Sequence, residues 1–99
     1  TLVFDEVDTG VSGDVAARIG AMMKEIAASR QVIAITHLPQ VAVRGDVHFK
    51  VYKEDSADAT HTRIMRLGEE ERVMETARML AGAVVDDAAI MNARSLLKL

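Results

Sequence analysis

At 99 residues, with a hydrophobic fraction of 49% and a formal net charge of -3, the chain is sized for one small folded domain and lacks the basic surplus that general attraction to nucleic-acid phosphates demands. The absence of cysteine excludes disulfides and thiolate metal sites and fits a reducing cytoplasm. No apolar run approaches the length of a membrane span, and with 3% aromatic residues the interior falls to Val, Ile, Leu, Ala and six Met.

The chain opens without a methionine, already inside an expected core strand, which suggests a piece of a longer protein. Thr1 to Phe4 have strand-forming, mostly apolar character and run straight into three carboxylates, Asp5, Glu6 and Asp8. In open α/β sheets ligands collect beyond the carboxyl ends of strands, and an acidic pair placed there can hold a metal and orient a water. The run matches the Walker B pattern of P-loop ATPases, in which Asp5 serves magnesium and Glu6 positions or polarises the water that attacks a γ-phosphate. The plain alternative is an ordinary strand followed by a solvated acidic turn.

Thr9-Gly10-Val11-Ser12-Gly13 reads as a turn, with Ser12 able to cap the next helix and Asp14 favouring its dipole. Val15, Ile19, Met22 and Ile26 recur at helical spacing and predict one buried stripe. Val32 to Ile35 is a second continuous apolar run, of the kind buried on both faces, so strand, helix and strand predict a right-handed crossover between parallel strands. Parallel strands end on one edge, which brings His37, just past the second strand, towards Asp5 and Glu6. There its ring can hydrogen-bond a phosphate oxygen or the attacking water. A loop histidine bonded to nearby backbone is the alternative. His48 and His61 have no such context and read as partly exposed strand residues.

A short helical segment from Pro39 to Val43 ends near Gly45, and strands are expected over Val47 to Glu54 and His61 to Leu67, with Phe49 and Val51 alternating against Lys50 and Tyr52. Lys50, Lys53, Arg63 and Arg66 make this hairpin locally basic, either as a DNA-facing ridge or as charge that discourages edge pairing. Glu69, Glu70 and Glu71 complement the amino terminus of a helix with Val73, Ala77 and Leu80 inward and Gly82 at its stop. Asp86 can cap a last helix through Leu97, with Ile90, Ala93 and Leu97 inward.

Phe4-Asp5-Glu6-Val7-Asp8-Thr9-Gly10-Val11-Ser12-Gly13, followed by Ile35-Thr36-His37-Leu38-Pro39-Gln40-Val41-Ala42, closely resembles the carboxy-terminal part of the bacterial RecN-type DNA repair ATPases, relatives of the SMC proteins in the ABC ATPase superfamily. The resemblance continues through Phe49-Lys50-Val51, Glu69 to Val73 and Ala77 to Gly82. It implies an α/β fold, the carboxy-terminal half of a P-loop or ABC-type ATPase head: parallel strands with a crossover helix, then a β-hairpin and two helices. Residues 1–99 would form a single fragment running from Walker B to the carboxyl terminus of a head that carries a long coiled coil and acts in DNA double-strand break repair. By motif, Asp5 would be the magnesium residue, acting through water, Glu6 the catalytic carboxylate and His37 the switch histidine. Asp8 to Ser12 would form the D-loop that touches the opposing head, with Ser12 standing where most ABC and SMC heads have an aspartate.

None of the six glycines begins a Gly-x-x-x-x-Gly-Lys-Ser/Thr phosphate loop, and no signature segment is present. ATP and magnesium are therefore expected to bind only together with the amino-terminal half of the same head, and the fragment alone is expected to be inactive. The implied partners are that half, a second head in a homodimer, and DNA through the intact protein, with no membrane and a cytoplasmic, nucleoid-associated setting. The competing readings are a head fragment of another SMC-like ATPase and a noncatalytic protein-interaction module.

Overall fold

Two short apolar runs, Leu2–Asp5 (β1) and Val32–Ile35 (β2), pair in parallel, with Leu2 opposite Val32 and Asp5 opposite Ile35. Parallel neighbours need a long crossover. It is supplied by the helix Gly13–Ala27 (α1) in the computed structural model, which describes residues 1–7, 9–82 and 84–99. A one-turn helix, Pro39–Ala42 (α2), follows, its proline preset for the first helical turn. Phe49–Asp55 (β3) and Thr60–Arg66 (β4) form an antiparallel hairpin with Val51 opposite Ile64. Its turn is closed by Ser56, whose N–H and hydroxyl both donate to the Ala59 carbonyl at 2.8 and 2.9 Å. The helices Glu69–Ala81 (α3) and Asp87–Leu97 (α4) complete the chain, so the expected element order and types are found.

The caps follow the sequence with one exception. Asp86 accepts from the Ala89 N–H at 2.8 Å, and Gly82 ends α3 at φ 78, a left-handed angle that suits glycine. Ser12 occupies the cap position of α1, but its side chain makes no capping hydrogen bond. The acidic run does more than face a dipole. Glu71 accepts from the Gly68 N–H at 3.0 Å, and Glu70 accepts from Arg94 of α4 at 3.0 Å.

Among the described residues, apolar side chains bury into two clusters. Ala16, Met23 and Val41 are surrounded by Phe4, Val11, Ile19, Val32 and Leu38, while Val73, Ala77, Ala89 and Ala93 gather Leu80, Val85, Ile90 and Leu97. The inward face of helix α1 is therefore shifted from the expected one, keeping Ile19 and Ile26 half-buried but leaving Val15 and Met22 exposed. The reason lies at Gly20, which is buried where α1 crosses α2. A Cβ there would sit 2.8 Å from the Gln40 carbonyl oxygen and 3.4 Å from the Val41 Cα. Close approach of two backbones selects small residues at the crossing, and this outweighs the bulkier stripe.

Strand β2 also departs from expectation. Val3, Ile33 and Ile35 are 62%, 46% and 50% exposed, so one face of the parallel pair is open among the described residues. The hairpin is reversed in the same sense: Phe49, Val51 and Ile64 are exposed, and the half-buried side carries Lys50, Tyr52 and Met65. Lys50 is drawn inward by Glu75 of α3, with Nζ 3.0 Å from Oε2. Glu75 is only 8% exposed and also accepts from Arg78 Nε at 3.0 Å. Burial works to raise its pKa, yet the hydrogen bonds from Arg78 and Lys50 outweigh it and hold the carboxyl below its ordinary value.

Two stability outcomes follow from these contacts. Gly20→Ala gains about 1 kcal/mol of helix propensity, but the close contact costs about 1–3 kcal/mol, so chemical denaturation should show a net loss; a net gain would contradict the crossing. Because the folded pKa of Glu75 is depressed, its contribution is fully present above the ordinary carboxylate value of 4.5 and fades as pH falls through the folded value. Glu75→Gln should thus cost about 1–3 kcal/mol at neutral pH, a difference that shrinks in acid. A pH-independent difference would refute the ion-pair origin.

Candidate functional site

The shared edge of β1 and β2 is built from the backbone outward. The parallel ladder runs one bond beyond Asp5, with the Glu6 N–H donating to the Ile35 carbonyl at 2.8 Å. Glu6 itself lies at φ 50, a left-handed angle that costs an L-residue about 1–2 kcal/mol. Its carbonyl is held twice by Thr9, accepting from the N–H at 3.2 Å and the hydroxyl at 2.8 Å. Hydrogen bonds of this kind contribute about 0.5–1.5 kcal/mol each. They offset the strain and fix the kink.

Across the edge, Thr36 and Leu38 bracket His37, and the Leu38 N–H donates to Thr36 Oγ1 at 3.0 Å. His37 Nδ1 lies 4.0 Å from Glu6 Oε1, with the two side chains 63% and 57% exposed. This separation is too long for a hydrogen bond. The two groups are neighbours facing solvent. Asp5 ends β1 opposite Ile35, also exposed. Of the expected site residues, Asp5, Glu6 and His37 thus share one edge. Ser12 stands apart from that pair as the first residue before α1, and Asp8 lies outside the described residues.

Among the described residues no group of three His, Asp or Glu side chains converges as a metal cage. An exposed aspartate with a neighbouring glutamate nevertheless fits magnesium, which is commonly held by one or two carboxylates together with water and phosphate oxygens. The other histidines contribute nothing here. His61 is exposed on β4, as expected, whereas His48 precedes β3 and has a buried Nδ1 with no hydrogen-bond partner. Burial, reinforced by the positive charge of Arg72, holds the His48 pKa below its usual value. The basic hairpin is partly neutralised, since Lys50 pairs with Glu75 and Arg63 lies 3.8 Å from Glu54.

Two residues that support the edge were not singled out by sequence. Thr9 was legible only as part of a turn, although a hydroxyl three residues after a strand end can reach back to a carbonyl. Arg72 Nη2 donates to the carbonyls of Ala42 at 3.1 Å and Gly45 at 2.6 Å, joining α3 to the end of α2. Its signal was position: it precedes Val73, on the flank of the buried stripe.

The fold has a solved counterpart. A solved structure described as "Structural biochemistry of ATP-driven dimerization and DNA stimulated activation of SMC ATPases" matches with a TM-score of 0.64 at 22% identity, covering 77% of this chain and 46% of that one. The fold is therefore that of part of an SMC-type ATPase. No protein-family model matches the chain. By sequence it is similar to RecN proteins along nearly its whole length. It is 41% identical over 97 residues to the DNA repair protein RecN of Vibrio cholerae, covering 98% of this chain and 18% of that protein. For RecN of Bacillus subtilis the identity is 45% over 98 residues, covering 99% and 17%, and for RecN of Mycobacterium bovis it is 47% over 98 residues, covering 99% and 16%. The chain thus spans less than a fifth of the length of these curated relatives.

The strained turn has a measurable consequence. Glu6→Gly removes the left-handed penalty of about 1–2 kcal/mol and adds about 0.5–1 kcal/mol of backbone entropy, so thermal unfolding should show unchanged or slightly raised stability. A loss above about 1 kcal/mol would mean that the Glu6 side chain itself holds the turn.

Proposed function

We propose that residues 1–99 are the Walker B to carboxy-terminal portion of the ATP-hydrolysing head of a RecN-type protein acting in DNA double-strand break repair and recombination. The observation that carries this reading is the common edge of Asp5, Glu6 and His37, with the last two 4.0 Å apart and open to solvent. In the proposed site Asp5 holds magnesium, through water, and magnesium when bound neutralises charge on the nucleotide phosphates. Glu6 orients and accepts a proton from the attacking water, and the His37 ring hydrogen-bonds a γ-phosphate oxygen or that water.

The remaining phosphate contacts come from the amino-terminal half of the same head, since this chain has no Gly-x-x-x-x-Gly-Lys-Ser/Thr run. The exposed Val3, Ile33 and Ile35 face is the kind of apolar surface that such a half would cover. Asp8 to Ser12 would face a second head in a homodimer, so that ATP binding joins the heads and hydrolysis parts them. DNA is engaged through the intact protein. No described helix is long and apolar enough to cross a membrane, and the working place of such a protein is the cytoplasm, at the nucleoid.

Glu6→Gln in the full-length protein keeps the shape of the side chain and removes its basicity. ATP binding should be retained while turnover falls about 10²–10⁴-fold, measured by nucleotide titration and phosphate release. Near-normal turnover would defeat the assignment.

A further inference from the structure

From the anchoring of α2 we infer that Arg72 is a positioning residue for His37, holding the far end of the one-turn helix that follows the histidine. The inference rests on the catalytic reading of His37 above. Helix α2 spans only Pro39–Ala42, too short to hold its own direction. Its end residue Ala42 donates from N–H to the Leu38 carbonyl at 3.1 Å, and Leu38 N–H donates to Thr36 Oγ1 at 3.0 Å. His37 therefore sits between the end of β2 and Leu38, whose carbonyl is tied to α2 and whose N–H is tied to Thr36.

Arg72 grips the other end of that turn. One guanidinium nitrogen bonds the carbonyl of Ala42, which also accepts from the Gly45 N–H at 3.3 Å, and the carbonyl of Gly45 in the turn beyond α2. The shortest of these bonds, 2.6 Å to Gly45, is charge-assisted. The arginine cannot easily withdraw. It is followed by the fully buried Val73, and Thr76, one turn further on, is also fully buried. On its opposite side α2 is stopped by α1, where Gly20 allows contact with the Gln40 carbonyl and Val41 Cα, and Val41 is buried in the first apolar cluster. With α1 on one flank and the Arg72 clamp at its end, α2 has one seat. Lysine would substitute only in part, because its ammonium can also donate to two carbonyls but sits on a flexible stem and is more strongly hydrated than a guanidinium.

The test uses the intact RecN-type protein with Arg72→Met and Arg72→Lys, steady-state ATPase assays, and hydrogen exchange followed over the peptide covering residues 36–46. Arg72→Met should lower kcat about 10- to 100-fold with KM for ATP within about twofold of wild type, and speed exchange in 36–46 while residues 2–5 and 32–35 stay protected. Arg72→Lys should recover part of both. Unchanged kcat despite faster exchange would overturn the inference. So would exchange rising throughout the head with kcat and KM changing together, the mark of general unfolding. Should Glu6→Gln and His37→Ala both turn over normally, the catalytic reading fails by itself, and the exchange over 36–46 decides whether Arg72 seats the histidine: unchanged protection there would reject it.

Discussion

The position of the acidic edge depends on two backbone constraints at Glu6. Its N–H extends the parallel ladder to the Ile35 carbonyl, and its own carbonyl turns back to accept twice from Thr9. Between them the chain must pass through a left-handed angle, which ends the strand abruptly and leaves the carboxylate beside His37. Register fixes the rest. With Asp5 opposite Ile35, the residues that follow each strand emerge side by side, and the histidine two positions after Ile35 meets the glutamate one position after Asp5. A shift of the ladder by one residue would turn each strand's side chains to the other face and separate the pair.

Stability in the described chain is unevenly distributed. The α3–α4 pair encloses its own small cluster of Val73, Ala77, Ala89 and Ala93, and is tied further by Glu70 and Arg94. The parallel pair has a helix over one face and none over the other, and the apolar face of the hairpin is likewise open. The tie between these regions is polar: the Arg72 bonds to Ala42 and Gly45, close to the ion pair of Lys24 with Asp46. Lys24 hydrogen-bonds Asp46 and lowers its carboxyl pKa, an exposed contact of small energetic weight. Among the described residues, Arg72 Nε, Thr76 Oγ1 and His48 Nδ1 are buried polar atoms without hydrogen-bond partners. Such uneven covering agrees with a chain that spans 16–18% of the length of its relatives.

Much of this was legible in the sequence because each element carried its own local signal. Apolar runs ending in Asp5-Glu6 and in Thr36-His37, Asp86 before a periodic segment, and Gly82 after one all have short-range physical causes. What was not legible depends on partners distant in sequence. The inward face of α1 was misplaced because bulk favours Val15 and Met22, whereas the crossing with α2 demands the small Ala16 and Gly20. Lys50 faces inward although alternation assigns that side to Phe49 and Val51, because a buried carboxylate twenty-five residues later attracts it. The serine at position 12 has the right identity and place for a cap and still makes no such bond. Arg72 carried no signal of its own beyond standing before Val73, and only the fold shows the two carbonyls it reaches.

The most direct test is a crystal structure of the intact protein with magnesium and a non-hydrolysable ATP analogue. The expected result is the Glu6 carboxylate within about 3.2 Å of a water in line with the γ-phosphate and the His37 ring against the same phosphate group. A γ-phosphate bound away from this edge, with Glu6 and His37 still in solvent, would contradict it.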